Sequence, residues 1–177
     1  MRNYDWPKRL RQIFERAAES YEGGNHKPET LFRAEEAQFL QSIGCSTQEL
    51  FDFVEDFCRG GEPEFETVLL ITAVRRDYLL AVQSGQPSGK TQPMDCFPPK
   101  DAELAGIRWL PRLIAKARAK LRGELPPELM YGCGGDRPFL RGVNVEPSDF
   151  LRVVWAAGED TQRIVDYVLK SRGGMPQ

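Results

Sequence analysis

The two halves of this 177-residue chain resemble each other weakly when the sequence is shifted by 100 residues, without a gap. Six of the 48 aligned positions between residues 7–54 and 107–154 are identical. The identical pairs are Leu10 with Leu110, Ala17 with Ala117, Gly23 with Gly123, Phe39 with Phe139, Leu40 with Leu140, and Val54 with Val154. Two explanations stay open: a degenerate duplication, or two helix–loop–helix units that each bury an apolar stripe. Both predict two similar helical units. An internal repeat constrains the architecture of the whole chain more strongly than any local pattern does.

Apolar residues recur at helical spacing through the N-terminal half. Residues 6–22 form an amphipathic stripe with Pro7 in the first turn and Gly23 after the last, which are typical helix boundaries. A capping box at Ser46–Glu49 opens another helix. The predicted helices of this half are 6–22, 29–43, 47–58 and 63–83.

The C-terminal half follows a segment rich in proline and glycine, residues 85–105, which we interpret as a linker. Its predicted helices are 110–122, a short one near 138–143, 147–157 and 159–170. The chain is therefore expected to be all-α, with helical units at 1–84 and 106–170 and a frayed tail at 171–177.

Composition limits the function classes. The net charge of −2 and the pI near 5.6 make a nucleic-acid partner unlikely, because nucleic-acid-binding domains are usually basic. The first residues lack the apolar run of a signal peptide, and no apolar run is long enough to span a bilayer. We therefore expect a cytoplasmic protein without a membrane partner.

Cysteine and histidine are too scattered to predict a metal site. The four cysteines, Cys45, Cys58, Cys96 and Cys133, show no CxxC spacing, and His26 is the sole histidine. Structural zinc sites need clustered cysteine and histidine ligands. The sequence therefore predicts no metal, no cofactor and no disulfide.

Basic residues concentrate in two places. Residues 107–123 contain six basic side chains and no acidic one, among them Arg112 and Lys116. Arg75 and Arg76 interrupt an otherwise apolar helix, where a charge must reach solvent, pair with a carboxylate or bind an anion. The basic helix is compatible with a solvated face that the more acidic N-terminal half partly neutralises, and the arginine pair with one exposed and one carboxylate-paired residue. Both places are also compatible with a site for an anionic ligand or partner.

A glycine-rich loop, Tyr131–Asp136, follows the basic helix. Three glycines around Cys133 indicate unusual backbone conformations or a closely approaching neighbour. The loop is compatible with a structural turn, with a ligand-contacting loop, or with a reactive Cys133 thiol. Asp136 is expected to cap the short helix that follows.

The segment from Phe97 to Leu169 resembles the bacterial domain-of-unknown-function family 5069. The resemblance rests on an ordered set of motifs and residues: Pro98-Pro99, Gly106, Leu110-Pro111-Arg112, Lys116 to Ala119, Gly123, Tyr131, Cys133, Asp136, and Phe139-Leu140. It implies a small, mostly helical bacterial protein and brings no assigned activity or catalytic residues.

Two functional hypotheses follow. The first is a non-catalytic helical interaction or ligand-binding module, whose partner is another protein or a small anionic ligand. The alternative is an enzyme or sensor for a small anion, with a pocket between the halves near Cys133 and the basic helix. Candidate ligand-binding residues are Arg75, Arg112, Lys116, Tyr131, Cys133 and Asp136, and no catalytic residue is assigned.

Overall fold

The computed structural model describes residues 4–173, and the predicted all-α class is confirmed. The helices within these residues are α1 (Trp6–Glu22), α2 (Pro28–Leu31), α3 (Ala34–Ser42), α4 (Thr47–Gly60), α5 (Phe65–Ala81), α6 (Leu110–Arg122), α7 (Asp136–Gly142), α8 (Pro147–Ala157) and α9 (Thr161–Gly173). The chain divides into two compact units, of which one extends to Pro87 and the other begins at Ser88. None of the helices in this part of the chain is long and apolar enough to cross a membrane.

The N-terminal unit is organised around α1, which packs against α4 and α5. Phe14 on α1 contacts the rings of Phe57 and Phe65, with centroids 5.4 and 5.5 Å away. Such tilted aromatic pairs add stability beyond the burial of their surface. As predicted, Ser46 caps α4, its Oγ accepting the Glu49 N–H at 3.0 Å.

The single helix predicted over residues 29–43 is wrong, because the chain leaves the helical conformation between α2 and α3. The Glu36 carboxylate accepts the backbone N–H of Arg33 at 2.8 Å and so starts a new helix there. The same carboxylate accepts two bonds from Arg16, at 2.6 and 2.7 Å. Arg16 also donates to the Leu31 carbonyl at 2.9 Å, which satisfies the end of α2. These distant partners favour the break over a continuous helix.

The C-terminal unit is built on α6, which packs against α8, and α8 in turn packs against α9. Its core is apolar, with Leu113, Phe150, Leu151 and Ile164 fully buried. Gly123 ends α6 with φ +71°, as the sequence predicts. The last helix, α9, includes the first three residues of the predicted tail 171–177, and residues 174–177 lie outside the described residues.

Residues 88–105, predicted as part of a linker, have defined structure within the C-terminal unit. They include a 3-10 turn at Met94–Cys96 and the strand β1 (Glu103–Leu104), which pairs antiparallel with β2 (Ile107–Arg108). Their start is held by Glu124, whose carboxylate accepts bonds from Ser88 Oγ at 2.5 Å and Gln92 Nε2 at 2.8 Å. Proline and glycine content alone does not reveal this anchoring, because its acceptor lies 36 residues beyond Ser88.

The Glu124 anchor predicts an acid-sensitive contribution to stability. Burial raises the pKa of Glu124, but bonds from Ser88, Gln92 and Arg122 outweigh it, and the pKa falls below its ordinary value of 4.5. A lowered folded pKa stabilises the fold above pH 4.5, and this stabilisation disappears as the pH falls through the folded pKa. Glu124→Gln should cost about 1–3 kcal/mol of unfolding free energy at pH 7.

Urea unfolding at a series of pH values checks this expectation. The difference between wild type and Glu124→Gln should shrink as the pH falls below 4.5. The exposed Glu128 provides a matched control, since Glu128→Gln should leave stability nearly unchanged. A Glu124→Gln loss that stays constant down to acid pH would contradict the role of the ionised carboxylate.

The internal similarity has a counterpart in helix boundaries. Shifting by 100 residues aligns the ends of α1 and α6, the ends of α3 and α7, and the starts of α4 and α8. Pairs of helices that each bury one stripe produce the same coincidence. A duplication therefore stays a prediction.

Candidate functional site

The glycine loop and the basic helix meet at a buried ion pair. Lys116 Nζ lies 2.5 Å from Asp136 Oδ2, and the two side chains are only 2% and 0% exposed. Asp136 Oδ1 accepts the indole N–H of Trp109 at 2.9 Å, and Oδ2 accepts the backbone N–H of Gly132 at 2.9 Å. Buried charges need this degree of pairing, because removing them from water is costly. We call these four residues the Asp136 network.

The Asp136 network fastens the loop to α6. Trp109 immediately precedes α6 and Lys116 lies in its middle, whereas Gly132 belongs to the loop and Asp136 is the first residue of α7. The expectation that Asp136 caps the short helix is wrong. Gly135 precedes the helix, and the Asp136 carboxylate accepts a bond from the loop behind it instead.

Cys133 lies beside this network. Its side chain is half-buried, and its Sγ is 3.4 Å from Lys116 Nζ. A cation beside the sulfur is one feature of reactive cysteines. A catalytic thiol also needs a proton acceptor. Lys116 is not such an acceptor, because it donates to Asp136. The sole histidine, His26, belongs to the other unit, where its ring contacts the Tyr21 carbonyl at 3.0 Å.

Tyr131 and Arg112 hold the C-terminal unit together. The Tyr131 hydroxyl is buried and donates to the Pro147 carbonyl at 2.8 Å. Burial, with a smaller contribution from the charge of Asp136, raises the pKa of Tyr131 well above 10.0. Arg112 Nη1 donates to the Pro98 carbonyl at 2.7 Å. Both side chains thus join segments that are distant in sequence.

The other basic residues of α6 are also engaged within the unit. Arg118 Nη2 donates to the Gly158 carbonyl at 3.0 Å and to Thr161 Oγ1 at 3.1 Å, and Arg122 pairs with Glu124 at 2.9 Å. The basic helix is therefore used mainly for bonds within its own unit, and its expected neutralisation by the N-terminal half stays a prediction.

Arg75 and Arg76 have different environments in the N-terminal unit. Arg76 lies over the Trp6 ring, 5.3 Å from its centroid, and its Nη1 is 3.9 Å from Asp77. Arg75 is 2% exposed, and its Nη1 donates to Gln83 Oε1 at 2.8 Å. Its Nε is buried and has no acceptor. The sequence allowed an arginine paired with a carboxylate at this place, but the hydrogen-bond partner of Arg75 is a neutral amide.

A half-open pocket of about 320 Å³ lies between α8 and α9. Its lining consists of Arg152, Val153, Ala156, Arg163 and Tyr167. Sequence reasoning missed these residues, because only the pairing of two helices brings them together. It also missed Trp109, whose indole reaches Asp136 across 27 positions of sequence.

The candidate metal ligands stay apart. Among residues 4–173, no three or more His, Cys, Asp or Glu side chains lie together in a way that could hold a metal ion. None of the four cysteines, all of which lie among these residues, forms a disulfide.

Comparison with protein families gives a match to the C-terminal part of the chain. The model of the domain of unknown function DUF5069 matches residues 99–173, which confirms the resemblance of the C-terminal part of the chain. No curated protein and no solved structure matches the chain. The matched range contains the whole Asp136 network, Cys133 and the pocket between α8 and α9.

Proposed function

We propose that the chain is a non-catalytic binding module of the cytoplasm. The observation that carries this proposal is the engagement of Asp136, whose buried carboxylate accepts three hydrogen bonds. A general acid or base must reach a proton of the substrate, and a fully bonded, wholly buried carboxylate does not. Four cysteines without a disulfide are in keeping with a reducing compartment.

The pocket between α8 and α9 supports a small organic anion as the ligand. Arg163 Nη1 donates to the Ala156 carbonyl at 3.1 Å, which uses one of the five N–H donors of the guanidinium. Arg152 is partly neutralised by Asp149, at 2.7 Å. Val153 and the Tyr167 ring supply apolar lining, and a volume of about 320 Å³ is at the small end of ligand pockets. The lining thus offers guanidinium donors and apolar surface to one ligand.

A second candidate function is thiol-dependent chemistry at Cys133. One observation favours it, the 3.4 Å contact between Lys116 Nζ and Cys133 Sγ. In this alternative the chain is an enzyme or sensor for an anionic small molecule. A ligand pocket between the two halves, near Cys133 and the basic helix, stays a prediction.

Turnover measurements separate the two functions. Purified chain is assayed with p-nitrophenyl acetate, p-nitrophenyl phosphate and an acyl thioester, beside the Cys133→Ser variant. We expect wild type and variant to show the same slow background release, without a burst. Turnover at least tenfold above background that disappears in Cys133→Ser would overturn the binding-module proposal and support thiol chemistry.

A further inference from the structure

The N-terminal unit contains a buried arginine whose charge is not neutralised. Arg75 lies on α5 with 2% of its surface exposed. Its one hydrogen bond goes to the neutral amide oxygen of Gln83. No carboxylate of residues 4–173 forms an ion pair with it, whereas Arg16 in the same unit contacts both oxygens of Glu36. A buried, unpaired cation is costly, so a counter-anion at Arg75 would stabilise the fold.

A second unsatisfied group lies beside it on the same helix. Thr72 is completely buried, and its Oγ1 has no hydrogen-bond partner. Residues three positions apart are neighbours on a helix surface, so Thr72 and Arg75 lie on one face of α5. Buried polar groups without partners are rare and point to a missing water or ion.

Gly44 leaves the space that the guanidinium occupies. Its φ is +74°, and a Cβ added there would lie 3.3 Å from both Cγ and Nε of Arg75. The backbone of Gly44 therefore lies so close to Arg75 that a side chain at position 44 would crowd the arginine. The region combines close packing around the stem of Arg75 with an unused N–H donor at Nε.

We propose that Arg75 and Thr72 bind a small oxyanion in the N-terminal unit. A guanidinium and a hydroxyl are donors suited to the oxygens of a phosphate or a carboxylate, and charge-assisted bonds to such groups are strong. This site is separate from the pocket between α8 and α9 and does not depend on the proposed function.

Thermal unfolding at constant ionic strength tests the site, with chloride replaced stepwise by phosphate or by acetate. At a hundredfold excess over its Kd, the preferred anion should raise the Tm of the wild-type chain by about 5–10 °C, with saturation. Arg75→Met should abolish this saturable rise. Arg33→Met, which removes an exposed arginine of the same unit, should retain it. The two anions distinguish a phosphate site from a carboxylate site.

A conservative variant keeps the test valid if Arg75→Met does not fold. Thr72→Val preserves the shape of the side chain and removes its hydroxyl, and it should reduce the saturable Tm rise by at least half. Phosphate also stabilises proteins by general exclusion from their surface, but that effect does not saturate and is common to all variants. Equal Tm shifts in wild type, Arg75→Met and Thr72→Val, with either anion, would overturn the proposal.

Discussion

Lys116→Met is expected to lower the unfolding free energy by about 3–5 kcal/mol, the usual cost of removing one partner of a buried ion pair. The substitution keeps most of the side-chain volume but leaves the Asp136 carboxylate buried without its cation. Trp109 and Gly132 would still donate to that carboxylate, at 2.9 Å each, but neither carries a charge. Urea unfolding at pH 7 measures the loss.

The matched control for this substitution is Lys170→Met. Lys170 is an exposed lysine of the same unit, on α9. Substitutions at such exposed positions usually change stability by less than about 0.5 kcal/mol. If Lys116→Met were as mild as Lys170→Met, the ion pair would not contribute to the fold as described.

Gly135→Ala is expected to lower the unfolding free energy by about 1–3 kcal/mol, which is typical of overpacking in a well-packed region. A Cβ at Gly135 would lie 2.7 Å from Cζ2 and 2.8 Å from Cη2 of Trp109. Real Cβ contacts do not come this close, so the indole must move. Moving the indole disturbs its bond to Asp136, so the new methyl group acts on the whole network.

The neighbouring Gly134 provides the control. A Cβ there would have one neighbour within 4 Å, the Nη2 atom of Arg137 at 3.9 Å, which is ordinary contact. Gly134→Ala should therefore be neutral or slightly stabilising, because alanine reduces the freedom of the unfolded chain. Thermal unfolding of both variants gives the comparison. Equal effects would show that the loop does not press against Trp109.

Local signals predicted much of the fold. Both boundaries of α6 were predicted correctly, because Pro111 and Gly123 mark its ends independently of the rest of the chain. The break between α2 and α3 could not be predicted in the same way. It depends on Arg16, which bonds to the Leu31 carbonyl and to Glu36 from another helix. Helix breaks set by such distant partners leave little trace in periodicity.

The sequence also identified several residues of the site, but not the contacts between them. Lys116, Cys133 and Asp136 were candidates because of their residue types in a basic helix and a glycine loop. Their mutual contacts could not be predicted, since Lys116 and Asp136 are 20 positions apart. Arg112 was a candidate for the same reason, yet it bonds to a backbone carbonyl of the same unit. A basic pattern does not distinguish a ligand site from internal pairing.

The Asp136 network also explains why glycine is needed in the loop. Gly132 has φ +79°, a conformation that side chains rarely adopt, and its N–H donates to Asp136. Gly135 has no Cβ and so admits the Trp109 ring. Two of the three glycines around Cys133 are therefore required by the structure of the turn. A structural turn explains these glycines without any chemistry at the thiol.

We propose that Asp136 serves the fold and not a reaction. The most direct test of this proposal is the unfolding free energy of Lys116→Met, Asp136→Asn and the double variant. Asparagine keeps the shape of the side chain, but Trp109 and Gly132 donate to different oxygens of Asp136, and the single amide oxygen can replace only one of them. We expect each single variant to be destabilised, and a coupling energy of about 2 kcal/mol or more, because the double variant leaves no unpaired charge. Catalytic residues often stabilise a protein when they are replaced. An Asp136→Asn variant as stable as wild type, or losses that simply add, would contradict the account.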